Sequence, residues 1–506
     1  MNIGQVLAHH ARFRPAHPAF VFEGLEQTYD TFNRQVNRMA NAMSGAGIRK
    51  GDKVAAVLPN CPELWMLYWA AAKIGAVAVP LSPLLRGEGL INLLNNADTC
   101  LLLTQSDSAD HIQTLLPELR LRPGDIWLTD KAKHPLFGSL SRCMGQASEN
   151  EPADPGIAPD DLFNIIYSSG TTGVPKGIMH SHQVRAMYMS LFANLYRMTP
   201  ECVVLHSGSI IFNGAMLTLM PVMFLGGTFI LHSKFDVDQL IADIRERRVT
   251  HTILVPSQLA AALQHPEFGG DNISSLEMIL SVGAPLPLQH KEALQQRAPG
   301  IFYELYGLTE GFVTVLDKYD FLRKPGSVGC PPPFFDMRIV DEAGRDLPQG
   351  EVGEIVGRGP LLMNGYYKDP ERTAQAIRDG WLFTGDMGYV DEDGFLFLVD
   401  RKKDLIISGG ANVYPSDIEG IAARHPEVRE VAVIGVPDER WGEAPVAAIV
   451  LKTGATTSPD ELKAWINARV HARYQSVREV FFLDDFPRNV AGKTLKREIR
   501  ARFLGG

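Results

Sequence analysis

Residues 167–177 read Tyr-Ser-Ser-Gly-Thr-Thr-Gly-Val-Pro-Lys-Gly, four aliphatic hydroxyls, three glycines and one lysine in eleven positions. Glycines such as Gly170 and Gly173 let consecutive backbone N–H groups curl into an anion-binding nest. The hydroxyls of Ser168, Ser169, Thr171 and Thr172 add donors, and Lys176 adds a mobile positive charge. A triphosphate tail needs this combination. The apolar residues 162–166 just before it predict a short buried strand, so the loop leaves a strand end, where open α/β sheets bind ligands. The common NTPase loop GxxxxGK[ST] is unmatched, because Lys176 follows Pro175 and precedes Gly177. On composition alone, a flexible polar loop fits the same residues about as well.

Three further stretches carry reactive side chains. Tyr306-Gly307-Leu308-Thr309-Glu310 sets a hydroxyl and a carboxylate at a predicted strand end, suited to a phosphate and a Mg²⁺ respectively. Gly380-Trp381-Leu382-Phe383-Thr384-Gly385-Asp386 ends on one buried-looking carboxylate, and a fixed carboxylate accepts two ribose hydroxyls well. Near the C-terminus, Gly492-Lys493-Thr494 tempts a Walker reading, yet position 487 is proline and almost no chain remains to build a nucleotide fold. Read without further context, a Thr-Glu pair is a helix cap, a lone aspartate a turn residue and a tail lysine solvated.

The eleven-residue stretch resembles the signature of the adenylate-forming superfamily of acyl- and aryl-CoA ligases, adenylation domains and luciferases. The other stretches follow in that family's order. The resemblance implies a two-step reaction using ATP, Mg²⁺ and CoA: a carboxylate and ATP give an acyl-adenylate, and a thiol then displaces AMP. It carries nucleotide contacts onto Ser168 to Gly173, Lys176, Gly283, Ala284, Pro285, Glu304, Leu305, Tyr306, Gly307, Thr309, Asp386 and Arg401. Glu310 is implied as the metal ligand, with Thr309 and Glu310 acting beside the catalytic lysine, Lys493. A mobile lysine can screen the anions that meet when a carboxylate attacks the α-phosphate. The basic neighbours Lys496 and Arg497 read as solvated. Lys403 matches the hinge about which a smaller domain rotates between steps. Ser408, Gly409, Gly410 and Trp441 are implied as the pantetheine tunnel, where side chains would obstruct a thin ligand.

The implied acyl pocket comprises Phe212, Asn213, Gly214, Gly283 and Gly307. Here the sequence departs from its relatives, since Ser209 to Ala215 replaces their Pro-x-x-His-x-x-Gly, and Phe212 takes the aromatic-gate position. No Arg or Lys lies in that stretch, which disfavours a dicarboxylate, and no aspartate is present for an amino group. The expected substrate is a hydrophobic monocarboxylate, fatty or aryl. An acyl-AMP ligase loading a carrier protein is the alternative. A luciferase-type oxygenase remains open, and a membrane-surface lipid binder would leave the phosphate loop unexplained.

The elements that must position these residues follow from patterning. A chain of 506 residues needs at least two domains, and 45% hydrophobic with 21% charged content is globular. A net charge of -9 argues against general nucleic-acid affinity. Five scattered cysteines without CxxC spacing fit a reducing cytosol. No signal peptide is read at the N-terminus. Residues 210–231 are apolar enough to mislead as a membrane span, but Pro221 and Gly226-Gly227 predict a buried helix, a glycine turn and a central strand. Alternating helical and apolar patterns to about residue 160 predict α/β layers with parallel strands. A surface linker is expected at 151–156, and strands at 203–205, 228–231, 252–255, 278–280 and 302–305. Short strands with glycine turns at 337–399 predict a β subdomain. Beyond the charged break at 400–404, strands at 431–434 and 446–450 and a helix at 458–473 are expected. The fold class is therefore α/β. A large N-terminal domain (1–400) of layered sheets and helices carries a β subdomain, and a small mobile α+β domain (401–506) follows. A cytoplasmic enzyme, with a homodimer as an open expectation, completes this reading.

Overall fold

The computed structural model describes residues 2–168, 176–408, 411–488 and 494–505. The chain divides into two compact units: Met1–Asp336 with Arg358–Leu382, and Met337–Gly357 with Phe383–Gly506.

The first unit is built on two mostly parallel sheets. One runs in spatial order Gly138–Ser139, Ile126–Leu128, Thr99–Thr104, Lys53–Val57, Val77–Leu81, Leu162–Ser168, Lys176–Ser181. Every pair is parallel except the last, which is antiparallel. Val77–Leu81 is buried at every position, as a strand covered on both faces must be. The phosphate-loop stretch therefore leaves one strand of this sheet and enters its neighbour. The second sheet runs Val313–Leu316, Phe302–Gly307, Met278–Ser281, His251–Ile253, Val203–His206, Thr228–Leu231, Pro18–Phe22, Leu25–Thr28. Its inner pairs are parallel and its two outermost pairs antiparallel.

The apolar segment behaves as its punctuation predicts. Met216–Leu225 is a helix despite Pro221, Gly226 stops it at φ 82, and Thr228–Leu231 is a fully buried central strand. Gly227 is required by contact, since a Cβ there would lie 2.6 Å from the Cys202 carbonyl oxygen. Among the described residues no helix is long and apolar enough to cross a membrane. The expected linker at 151–156 needs correction at its first residue. Glu151 accepts hydrogen bonds from Lys73 Nζ (2.6 Å), Asn33 Nδ2 (2.7 Å) and Asn37 Nδ2 (3.0 Å), because buried Lys73 requires a countercharge.

The strand Trp381–Val390, whose residues from Phe383 onward belong to the second unit, pairs with Gly353–Arg358 on one side and antiparallel with Leu396–Arg401 on the other. A further sheet centres on a long hairpin, Val428–Asp438 with Gly442–Leu451, extending well beyond the expected 431–434 and 446–450. Asp438 Oδ1 shapes its turn by accepting the backbone N–H groups of Arg440 and Trp441, both at 3.0 Å. The helix expected over 458–473 spans Pro459–Asn467 only. Ser458 and Glu461 cap its start reciprocally. It stops where Asn467 turns its amide onto Val477, accepting from the backbone N–H at 2.7 Å and donating to the carbonyl at 3.1 Å.

Candidate functional site

In the first unit, Ser168 is the last residue of its strand and lies opposite Lys176. Lys176 Nζ sits 4.8 Å from the Tyr366 ring centroid and donates to the phenol oxygen at 3.4 Å. Tyr366 in turn donates to Glu310 Oε1 at 2.8 Å. Burial, reinforced by the Glu310 carboxylate, pushes the Tyr366 phenol up, so it remains a proton donor. A cation and a carboxylate are thus held a phenol apart without quenching each other. Ser169, Gly170, Thr171, Thr172 and Gly173 lie outside the described residues.

Two neighbouring strand ends and a turn of 3-10 helix supply the rest of this set. Phe302–Gly307 carries Glu304, Leu305, Tyr306 and Gly307. A Cβ at Gly307 would lie 2.8 Å from both the Phe312 carbonyl oxygen and Val313 Cγ1, so only glycine fits. After Met278–Ser281, Gly283 takes φ 97, in the left-handed region, and Gly283, Ala284 and Pro285 form an exposed turn. Phe212 leads into a turn of 3-10 helix, Asn213–Ala215, and a Cβ on Gly214 would touch Val282 at 3.7 Å. The implied acyl loop therefore packs beside the Gly283 turn. Glu304 is different in kind. Its carboxylate is committed to buried Lys291, so what it can offer a nucleotide is backbone. Lys291→Met should leave that carboxylate buried and unpaired, at a cost of about 3–5 kcal/mol. A denaturant midpoint equal to wild type would refute that assignment.

The second unit holds the other set. Alternation along Trp381–Val390 puts Leu382, Thr384, Asp386 and Gly388 on its buried face. Asp386 Oδ1 lies 3.0 Å from Nε of its cross-strand partner Arg401, and the Asp386 backbone N–H donates to Thr384 Oγ1 at 3.1 Å. Lys403 sits in a single 3-10 turn, Lys402–Asp404, where burial lowers its pKa. Ser408 is buried at the end of Ile406–Ser408 and pairs with Gly442 at the mouth of the hairpin. Ser408 and half-exposed Trp441 line one pocket, together with Arg440, Lys463, Arg473 and Arg478. Gly409, Gly410 and Lys493 lie outside the described residues. Lys496 is a correction. Instead of being solvated it donates to Glu419 at 2.7 Å. Burial alone would lower its pKa, but the carboxylates of Glu419, Asp400 and Asp404 together raise it. Arg497 is exposed as expected.

Two groups escaped the sequence reading. The cations of the Ser408 pocket had a signal, a basic run of Lys463, Arg473 and Arg478 in a chain of net charge -9. His180 and Arg185, buried beside Asn213 and Thr309, had no signal beyond two polar residues in an apolar pattern. Among the described residues no group of three or more His, Cys, Asp or Glu side chains could hold a metal. Glu310 alone still fits a Mg²⁺ ion, which is commonly bound by one or two carboxylates and substrate phosphates.

Residues 7–367 match the model of the AMP-binding enzyme family, and residues 417–493 match that of the AMP-binding enzyme C-terminal domain. A feruloyl-CoA synthase from an Amycolatopsis species is 35% identical, over 99% of this chain and 99% of its own. The long-chain-fatty-acid–CoA ligase FadD13 of Mycobacterium tuberculosis is also 35% identical, over 99% and 98%. The ATP-bound structure of MatB from Rhodopseudomonas palustris superposes with a TM-score of 0.89 at 30% identity, covering 99% of each chain.

Proposed function

The chain belongs to the AMP-binding enzyme family and is an AMP-forming acid–thiol ligase, and on that premise we propose that it activates a hydrophobic monocarboxylate, fatty or aryl, and passes it to CoA. The observation that carries the choice of CoA is the pocket of the second unit, where Arg440, Lys463, Arg473 and Arg478 line the same space as Ser408 and Trp441, with Asp438, 3.6 Å from Arg478, the carboxylate among the lining residues. CoA carries a phosphorylated nucleotide on its pantetheine arm, and a basin lined mainly by cations matches that phosphorylated end.

In the first half-reaction the carboxylate oxygen attacks the α-phosphorus of ATP and pyrophosphate leaves. Lys176 and the hydroxyls of its loop hold the polyphosphate. Thr309 faces the α-phosphate, and Glu310 would hold Mg²⁺, which supplies charge neutralisation. Asp386 and Arg401 hold the ribose, and Lys493 screens the approaching anions. In the second half-reaction the CoA sulfur attacks the acyl carbonyl and AMP leaves with the phosphoryl oxygen. We place the functional junction at 400/401, with Lys403 as hinge, because the short turn Lys402–Asp404 joins two differently patterned sheets. The five unpaired cysteines suit a cytoplasmic setting.

The test is a carboxylate panel of fatty, aryl and dicarboxylic acids, scored for pyrophosphate release with and without CoA. Release with apolar monocarboxylates and thioester only with CoA is the expected result. Thioester on a carrier protein but not on CoA would overturn the acceptor. Arg473 is exposed, so Arg473→Gln should leave the fold intact. Loss of one charge-assisted phosphate contact, about 1.5–3 kcal/mol, should raise KM for CoA roughly 10- to 100-fold while KM for ATP is unmoved. Equal changes in both KM values would remove the pocket from CoA binding.

A further inference from the structure

Arg185, on the helix His182–Leu195, is fully buried. Its Nε donates to Asn164 Oδ1 at 2.8 Å, Nη1 to Asn213 Oδ1 at 2.8 Å, and Nη2 to His180 Nδ1 at 3.1 Å. The guanidinium lies 4.7 Å from the Tyr188 ring centroid. Every one of these partners is neutral. Among the described residues no carboxylate forms an ion pair with Arg185, and residues 169–175, 409–410 and 489–493 include no Asp or Glu at all. A buried charge without a countercharge is expensive, and an apolar side chain of similar volume would fill this space at lower cost.

The network ties two functional loops together. Because His180 Nδ1 accepts from Arg185, the imidazole proton sits on Nε2 and is donated to the Thr309 carbonyl oxygen at 2.8 Å. Burial, with the Arg185 charge adding to it, holds this imidazole neutral. At the other end Asn213 donates from Nδ2 to the Tyr188 oxygen at 2.9 Å, so its amide is gripped on both sides. One chain of side chains thus runs from the Thr309 turn to the acyl loop through a permanent cation.

We infer that Arg185 is a positioning residue of the adenylation half-reaction: it fixes the Thr309 turn against the Asn213 loop, and its uncompensated charge favours the site at which a carboxylate and an α-phosphate, both anionic, must approach. The inference rests on the acid–thiol ligase reading above, and it assigns the adenylation step a further, buried cation besides Lys176, Arg401 and Lys493. That cation belongs to the first unit. In a poorly screened interior a unit charge acts over several ångströms, and a preorganised one needs no reorganisation as the reaction proceeds.

The test measures the two half-reactions separately on the full chain, per folded molecule. Wild type that releases no pyrophosphate with any acid of the panel would defeat the ligase reading itself, whereas the inference is judged on the ratio of variant to active wild type. Arg185→Gln should slow acyl-adenylate formation about 10²-fold, the loss typical of a displaced reacting group, while thioester formation from supplied acyl-adenylate changes little. Arg185→Lys, which keeps the charge but not the three-way fork, should recover part of that loss. Asn164→Asp guards against a folding failure. Asn164 Nδ2 is a buried donor without a partner, so an isosteric carboxylate removes that orphan and pairs with the guanidinium. It should fold at least as well as wild type, yet slow adenylation by roughly 10-fold or more by cancelling the charge. Unchanged adenylation in Asn164→Asp, equal loss of both half-reactions in Arg185→Gln, or no advantage of lysine over glutamine would each overturn the proposal.

Discussion

Lys493→Ala should lose acyl-adenylate formation by about 10²–10³-fold or more, yet still convert supplied acyl-adenylate and CoA into thioester. The charge of this lysine is needed only while an anionic carboxylate closes on the α-phosphate. In the second step the attacking group is a thiol and the leaving group is AMP. Gly409→Leu should show the reverse, with pyrophosphate release retained and thioester formation collapsing, because a side chain there would obstruct the pantetheine arm. What the structure adds is how firmly the flanks of Lys493 are held. Arg488 and Thr494 form an antiparallel bridge across residues 489–493. Lys496, first residue of the helix Lys496–Gly505, is anchored on Glu419, whose carboxylate also accepts the Val433 backbone N–H at 2.7 Å. Arg488 is ion-paired to Glu430 and Lys496 to Glu419, so both flanks of the segment bearing the catalytic lysine are tied to residues beyond the proposed 400/401 junction and would travel with them. Both variants are to be assayed with one carboxylate in both half-reactions. Equal loss of the two activities in each variant would eliminate the alternating use of two orientations and require one fixed site.

Much of the fold was legible because its signals are local. Largely apolar runs such as 77–81 and 228–231 mark strands covered on both faces, and Gly226 marks the end of the helix before one of them. Glycines at 283 and 307 could be singled out at strand ends, where the backbone turns to φ 97 or leaves no space for a Cβ. Illegible were the features made by distant partners. Nothing in residues 151–156 tells that Glu151 answers Lys73, some eighty positions earlier, and nothing near Ser458 tells that Asn467 will pair with Val477 and stop the helix. The stretch 209–215 lacks any cation, a fact that holds for the sequence and misleads about space. Arg185 reaches Asn213 from a neighbouring helix and leaves a buried positive charge against that loop. The dicarboxylate arm of the substrate panel therefore matters more than the sequence suggested.

Asp386→Asn should weaken ATP binding by about 1–3 kcal/mol without unfolding the protein, since the amide keeps the shape while turning one acceptor oxygen into a donor. The structure shows why this carboxylate cannot be considered alone. It is buried on the inner face of its strand, and Arg401 Nε reaches Oδ1 from the directly opposite cross-strand position. A buried carboxylate in this setting needs its cation, and the cation fixes which way the carboxylate points. If the pair holds the ribose as one unit, Arg401→Met should also weaken ATP, and the double variant should lose much less than the two single losses added together. A coupling of about 0.5–3 kcal/mol is the range for groups in direct contact, against additivity within about 0.3–0.5 kcal/mol for independent ones. ATP titrations of wild type, both single variants and the double variant close this cycle, with thermal unfolding of each as the check on folding. An additive result would mean that Arg401 meets the nucleotide separately from Asp386. An unchanged titration for Asp386→Asn would take the carboxylate out of the nucleotide site and leave it as the internal partner of Arg401.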